Sequence, residues 1–184
     1  MKWDRYWVAG VVAAVALCIS AGRAQEPAAH IPEAHGTTLA GTAASLPEAV
    51  NGKSGVLVLG FSKVSQRQVA AWGKRLTADY RQSASVVYFQ VPMLGGAPRL
   101  LRGMIVRQMS GSVPEEERSH FLPLVDNEAA WRTVARYAKP DDAYVLLVDG
   151  EGVIRWQIEG DATDVAYGAL KQGLERLLAS QGMR

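Results

Sequence analysis

Val56-Leu57-Val58-Leu59-Gly60-Phe61 runs without a break into Ser62-Lys63-Val64-Ser65-Gln66-Arg67-Gln68-Val69, and then on to Trp72, Leu76 and Tyr80. An unbroken apolar run suits a strand covered on both faces, because a strand with one wet face alternates instead. Val69, Trp72, Leu76 and Tyr80 recur at steps of three and four, the period of a helix with one buried stripe. Ser65 reads as the cap of that helix and Gln68, three places on, as its capping-box partner. A buried strand feeding a core-facing helix is the first half of a βαβ unit.

The rest of the chain extends it. A second strand is expected at Ser85 to Val91, where Val86, Val87, Tyr88 and Phe89 are strong strand formers. It ends at Pro92 and a Gly95-Gly96 turn, and Pro98 suits the first turn of a helix carrying Leu100, Leu101, Met104, Ile105 and Met109. Ser112-Val113-Pro114-Glu115-Glu116-Glu117 reads as another helix start, with acids at the positive end of the dipole. Asp126 or Asn127 caps one more, presenting Trp131, Val134 and Ala138. After Lys139-Pro140-Asp141-Asp142 comes an apolar strand, Ala143 to Val148. Asp149-Gly150-Glu151-Gly152 turns it back into Val153 to Ile158, so the pair reads as a hairpin. A long helix, Thr163 to Ser180, follows. The expected fold class is α/β with a central mixed sheet, a parallel pair joined by a right-handed crossover and an antiparallel hairpin beside it. This order resembles the thioredoxin-like arrangement with an enlarged helical middle.

Residues 1–24 read as a secretory signal. Lys2 and Arg5 precede the uncharged run Val8 to Ser20, and Ala21-Gly22-Arg23-Ala24 ends in small residues suited to a cut after Ala24. The run is short for a bilayer core of about 30 Å. A periplasmic or secreted location is expected, with membrane tethering by an uncleaved signal as the alternative. The single cysteine, Cys18, lies inside this segment, so the exported part holds no thiol although its compartment would permit disulfides. Cleavage removes three of 20 bases, Lys2, Arg5 and Arg23, and one of 18 acids, Asp4. What remains is close to neutral, which gives no support to nucleic-acid binding.

Residues 25–52, rich in Ala, Pro, Gly and Thr and lacking apolar periodicity, read as a flexible leader, and 53–184 as the domain. His30 and His35 have no further Cys, Asp or Glu at ligand spacing, so no metal is assigned to them. Gly95 and Gly96 precede a helix without a phosphate-loop pattern, and no cofactor is assigned either.

In thioredoxin-like domains a cysteine pair sits just after the first strand, where a helix N-terminus lowers the thiol pKa. That place here is Phe61 to Val69, and in glutaredoxin register Gln66 and Val69 stand where cysteines would fall. A shifted register puts Ser62 and Ser65 there instead. Hydroxyls without an adjacent base are poor nucleophiles; His120 lies far along the chain, and no Gly-x-Ser-x-Gly elbow occurs. Pro140 stands about three residues too early for the cis-proline that precedes the third strand of such domains. Candidate binding residues are Ser62, Lys63, Ser65 and Gln66 at this junction. Arg99 and Arg102 on the second helix are candidates for an acidic partner or headgroup. Arg155 and Trp156 on the hairpin form a cationic and aromatic pair of the kind enriched at interfaces, unless Trp156 packs under the last helix.

Tyr144-Val145-Leu146-Leu147-Val148-Asp149, then Gly152-Val153-Ile154-Arg155-Trp156, then Gly160-Asp161-Ala162-Thr163 resembles the C-terminal signature of the mitochondrial ATP-synthase assembly factor family, ATPase complex subunit ten. The Arg99 to Arg107 helix and the Pro114 to Phe121 segment resemble it more loosely. The resemblance implies a thioredoxin-like domain without the redox pair, acting as a chaperone for a membrane subunit of the ATP synthase. The export signal departs from a mitochondrial setting and suggests an exported bacterial relative. The expected function is a non-catalytic binding or assembly module with a protein partner and peripheral membrane contact, without thiol oxidoreductase or peroxidase activity. The alternative is an enzyme of non-thiol chemistry on the same fold, using Ser62, Lys63, His120 or Arg102.

Overall fold

In a computed structural model, which describes residues 29–181, the chain starts with two short strands, β1 (Ala34–Thr37) and β2 (Ala43–Leu46), paired antiparallel. A 3-10 turn, Glu48–Val50, leads to β3 (Ser54–Gly60), α1 (Gln66–Tyr80), β4 (Val86–Pro92) and α2 (Arg99–Ser112). A second 3-10 segment, Glu115–His120, and α3 (Glu128–Val134) precede β5 (Ala143–Val148), β6 (Ile154–Glu159) and α4 (Asp164–Gln181). The signal expected over 1–24, with Cys18, lies outside the described residues.

The main sheet has the order β4-β3-β5-β6. β3 and β4 are parallel, joined through α1, while β5 runs antiparallel to both β3 and β6. This is the expected mixed α/β sheet. Every residue of β3 and β5 is buried, which accounts for their unbroken apolar runs: alternate side chains enter two separate cores. Leu57, Leu59, Phe89, Val91, Leu146 and Val148 face one, closed by Trp131 of α3 and by Leu122 and Leu124. Val56, Val58, Tyr88, Val145 and Leu147 face the other, closed by α1 through Val69, Trp72 and Leu76 and by α4 through Leu170 and Leu174. Gly73 lets α1 approach the sheet closely, since a Cβ there would overlap the side-chain amide of buried Gln90.

Three expectations are corrected. The leader expected over 25–52 is ordered structure from residue 29 onward: Ile31, Ala34, Leu46 and Val50 are buried in the first core, and Gly36 passes so close to Leu122 that a Cβ would come within 2.8 Å of its methyl. Four apolar anchors scattered among small residues carry no period, so sequence reading misses a hairpin held by the sheet it covers. Ser112 to Glu117 starts only a 3-10 segment, because Glu115–His120 offers no apolar stripe to bury. Asn127 precedes α3 with a left-handed φ of 57° and makes no side-chain cap; its amide instead donates to the Glu33 carbonyl at 2.9 Å, tying the N-terminal hairpin down.

Candidate functional site

Gly60, the last residue of β3, pairs with Pro92 at the end of β4 and with Ala143 at the start of β5. The turn leaving β3, the loop leaving β4 and the loop entering β5 therefore share one edge of the sheet.

Ser62 organises the turn. Its Oγ accepts the N–H groups of Val64 and Ser65, each at 3.1 Å, and donates to Asp141 Oδ1 at 3.2 Å. Ser65, fully buried, donates to the Ser62 carbonyl at 2.9 Å and accepts the Ser62 N–H at 3.3 Å. Ser65 therefore makes no side-chain cap, and the Ser62 hydroxyl ties the turn that precedes α1. The physical reason is backbone geometry: Ser65 already has helical φ and ψ of −62° and −17° and makes no cap bond to the helix, whereas a capping side chain sits on the residue before the chain turns. Gln68 departs from the capping box too. Its Oε1 accepts the Ala143 N–H at 2.7 Å and its Nε2 reaches Asp142 Oδ1 at 3.4 Å, which fastens the first turn of α1 to the start of β5.

Beside the turn lies an aromatic cluster. Phe61 meets Tyr137 and Tyr144 edge-on, with ring centres 5.0 and 5.6 Å apart. The Arg132 guanidinium stands 4.3 Å above the Tyr137 ring and 5.5 Å from Phe61, and is held by Glu128 at 2.6 Å. Glu128 also accepts the Gly96 N–H at 2.8 Å, joining α3 to the loop leaving β4. The Tyr144 hydroxyl closes the loop into β5, accepting the amides of Ala138 and Lys139 and donating to the Lys139 carbonyl. Lys63 is exposed at the tip of the turn, next to Val64, which is 63% exposed.

The family model described as ATP10 protein matches residues 23–177. The chain belongs to the ATP10 protein family. No curated protein matches it. Solved structures with the same fold include the exposed lipoprotein thioredoxin Etrx1 of Streptococcus pneumoniae strain TIGR4, 14% identical with a TM-score of 0.57 over 77% of this chain and 99% of that one. An uncharacterized conserved protein of Geobacillus kaustophilus is 14% identical with a TM-score of 0.60 over 83% and 82% of the two chains. StoA of Bacillus subtilis is 15% identical with a TM-score of 0.53 over 80% and 98%. These likenesses are of fold, and the fold is thioredoxin-like.

In this ATP10 family member the turn after β3 holds two hydroxyls bonded to their own backbone. No imidazole approaches them among the described residues. His120 stacks on Tyr88 with ring centres 4.0 Å apart, and its Nδ1 lies 3.2 Å from the Tyr88 carbonyl. Tyr88 pairs with Val56, four residues along the strand from Gly60. Burial pushes the His120 pKa below its usual value. Arg102 donates to the carbonyls of Gly95 and Ala97 at 2.9 and 3.0 Å, bracing the loop that leads to α2. The Ser62, Lys63, His120 and Arg102 set considered for an enzyme is therefore not brought together. Among the described residues the cis peptide bond is Leu46–Pro47, so Pro140 is not the cis-proline of the fold.

The eight candidate binding residues divide between two places. Ser62, Lys63, Ser65 and Gln66 lie on the turn, and Arg99 and Arg102 follow the loop leaving β4 at the same edge. Arg155 and Trp156 lie on β6, where Trp156 pairs with Leu147, toward the opposite edge. Arg155 donates to Asp149 at 2.7 Å and braces the hairpin turn. Trp156 is half-buried against the second core, beside Gly173 of α4. The cleft of about 750 Å³ that these two line with Arg176, Leu177 and Gln181 is separate from the turn. Sequence reading missed Phe61, Arg132, Tyr137 and Asp141; the Glu128 to Arg132 spacing of four residues was the one available signal for the aromatic and guanidinium cluster.

Proposed function

We propose that this protein is an exported assembly module that holds a protein client belonging to a membrane complex, the ATP synthase, and does so without thiol chemistry. The observation that carries this reading is the turn after β3. In an ATP10 family member with a thioredoxin-like fold, the stretch where a dithiol is expected, Phe61 to Val69, holds Ser62 and Ser65 bonded to each other and Ser62 also to Asp141, with Lys63 and Val64 exposed between them. Without a thiol in that stretch, the surface there is open to binding and not to disulfide exchange. The export part of the reading rests on residues 1–24 of the sequence.

The test is deletion of the protein from its source cell, with assembled ATP synthase resolved by native electrophoresis. A fall in assembled complex with accumulation of unassembled membrane subunits is expected, reversed by the wild-type chain. Unchanged assembly would overturn the proposal. Disulfide reduction or peroxide turnover by the purified chain, without added cofactor, would overturn its non-thiol part.

A further inference from the structure

α2 has 14 residues and none of them is buried. Leu100 is 95% exposed, Met104 56% and Leu101 43%. At about 3.6 residues per turn these three share one side of the helix, while Arg102, Ile105, Val106 and Met109, all half-buried, lie toward the domain. Arg107 falls next to Leu100 on the outer side, with Arg99 beyond it. No acid interrupts Arg99–Ser112, and the helix also contains Gly103 and Gly111. Each glycine is poorer than alanine in a helix by about 1 kcal/mol, and a helix of this length is marginal in water until an amphipathic face is covered. Something of matching chemistry should cover the Leu100 face.

We propose that α2 is an interfacial lipid-binding helix that lays Leu100, Leu101 and Met104 into the surface of an anionic bilayer, with Arg99 and Arg107 at the headgroups. Charge complementarity selects this occupant. Two outward arginines, Arg99 and Arg107, and no acid suit a uniformly negative surface, and an exposed apolar side with long cationic stems beside it matches the way such helices sit at the interface. Glu115, Glu116 and Glu117 begin just past the C-terminus of α2 and are repelled by the same surface, so the N-terminal half enters and the C-terminal half tilts away. Among the described residues no helix is long and apolar enough to cross a membrane, which leaves the contact interfacial. The inference rests on the helix itself and stands whether or not the client is an ATP-synthase subunit.

The experiment uses the full chain in a Cys18→Ser background, with a polarity-sensitive fluorophore attached at Met104→Cys or, as the control, at Val165→Cys, another exposed position at 85%. Phosphatidylglycerol vesicles are expected to shift the residue 104 emission to the blue and expose that label to quenching by spin-labelled lipid, while the residue 165 label stays unchanged. Phosphatidylcholine vesicles should give a much weaker shift. Arg99→Glu with Arg107→Glu should weaken the apparent affinity at least about tenfold, with the far-ultraviolet circular dichroism of the variant reporting that it is folded. Tethering through the N-terminal segment alone would move the two labels equally, and that result overturns the proposal. A shift seen only when the vesicles carry membrane protein overturns it in favour of a protein partner.

Discussion

The Ser62 hydroxyl accepts two amides and donates to a carboxylate across the sheet edge, whereas the buried Ser65 hydroxyl exchanges bonds only with the Ser62 backbone. Ser62→Ala removes the acceptor of the Val64 and Ser65 amides, and should cost about 0.5–2 kcal/mol in urea denaturation. Ser62→Asn, which keeps an uncharged acceptor, should recover most of that loss. Equal stability of Ser62→Ala and the wild-type chain would show that these bonds do not hold the turn. The serine spacing was legible in the sequence, and so was the absence of cysteine. Which serine holds the turn was not, because that depends on where the backbone enters helical geometry. Asp141 was invisible as a partner of Ser62 because 79 residues separate them and only pairing of β3 with β5 brings them together.

The β5–β6 hairpin shows how an element fixes the meaning of its residues. Asp149, buried at the turn, accepts the N–H groups of Glu151 and Val153 on one oxygen and Arg155 on the other. Burial would raise its pKa, but the Val153 amide, Arg155 and the Glu151 amide outweigh it and hold the carboxyl below the usual carboxylate range. A pKa lower in the folded than in the unfolded chain gives stability that is complete above the unfolded value of about 4 and is lost as pH falls through the folded value. Denaturant midpoints measured from neutral pH into the acid range should therefore fall below about pH 4. Asp149→Asn should be less stable at neutral pH and lose less on acidification; an unchanged acid limb would remove Asp149 from this account. The hairpin itself was legible from its turn residues and strand alternation. The work of Arg155 and Trp156 within it was not, since a cation and an indole on a strand read the same from sequence whether they meet a partner or, as here, Asp149 and α4.

At the scale of the whole molecule, the N-terminal hairpin makes the domain larger than its most apolar segment suggests. Ile31, Leu46 and Val50 each bury an apolar side chain in the first core, worth about 1.5–3 kcal/mol apiece. Compared by thermal and urea unfolding, a chain starting at Gln25 should unfold cooperatively, while one starting at Lys53 should be severely destabilised or fail to fold. Equal midpoints for the two would restore the flexible leader. The sequence by itself determined the mixed sheet, the succession of its strands along the chain and the lack of a dithiol, because apolar period, turn residues and residue identity are local properties. Only the tertiary structure decided that the leader is part of the core, that Ser62 holds the turn before α1 while Ser65 makes no cap, that the candidate binding residues split between two edges, and that α2 keeps its leucines in solvent. Each of these depends on which surfaces meet. A periodic pattern shows that a face is apolar; the packing of the remaining chain decides whether that face is covered, as in α1, or left for a partner, as in α2.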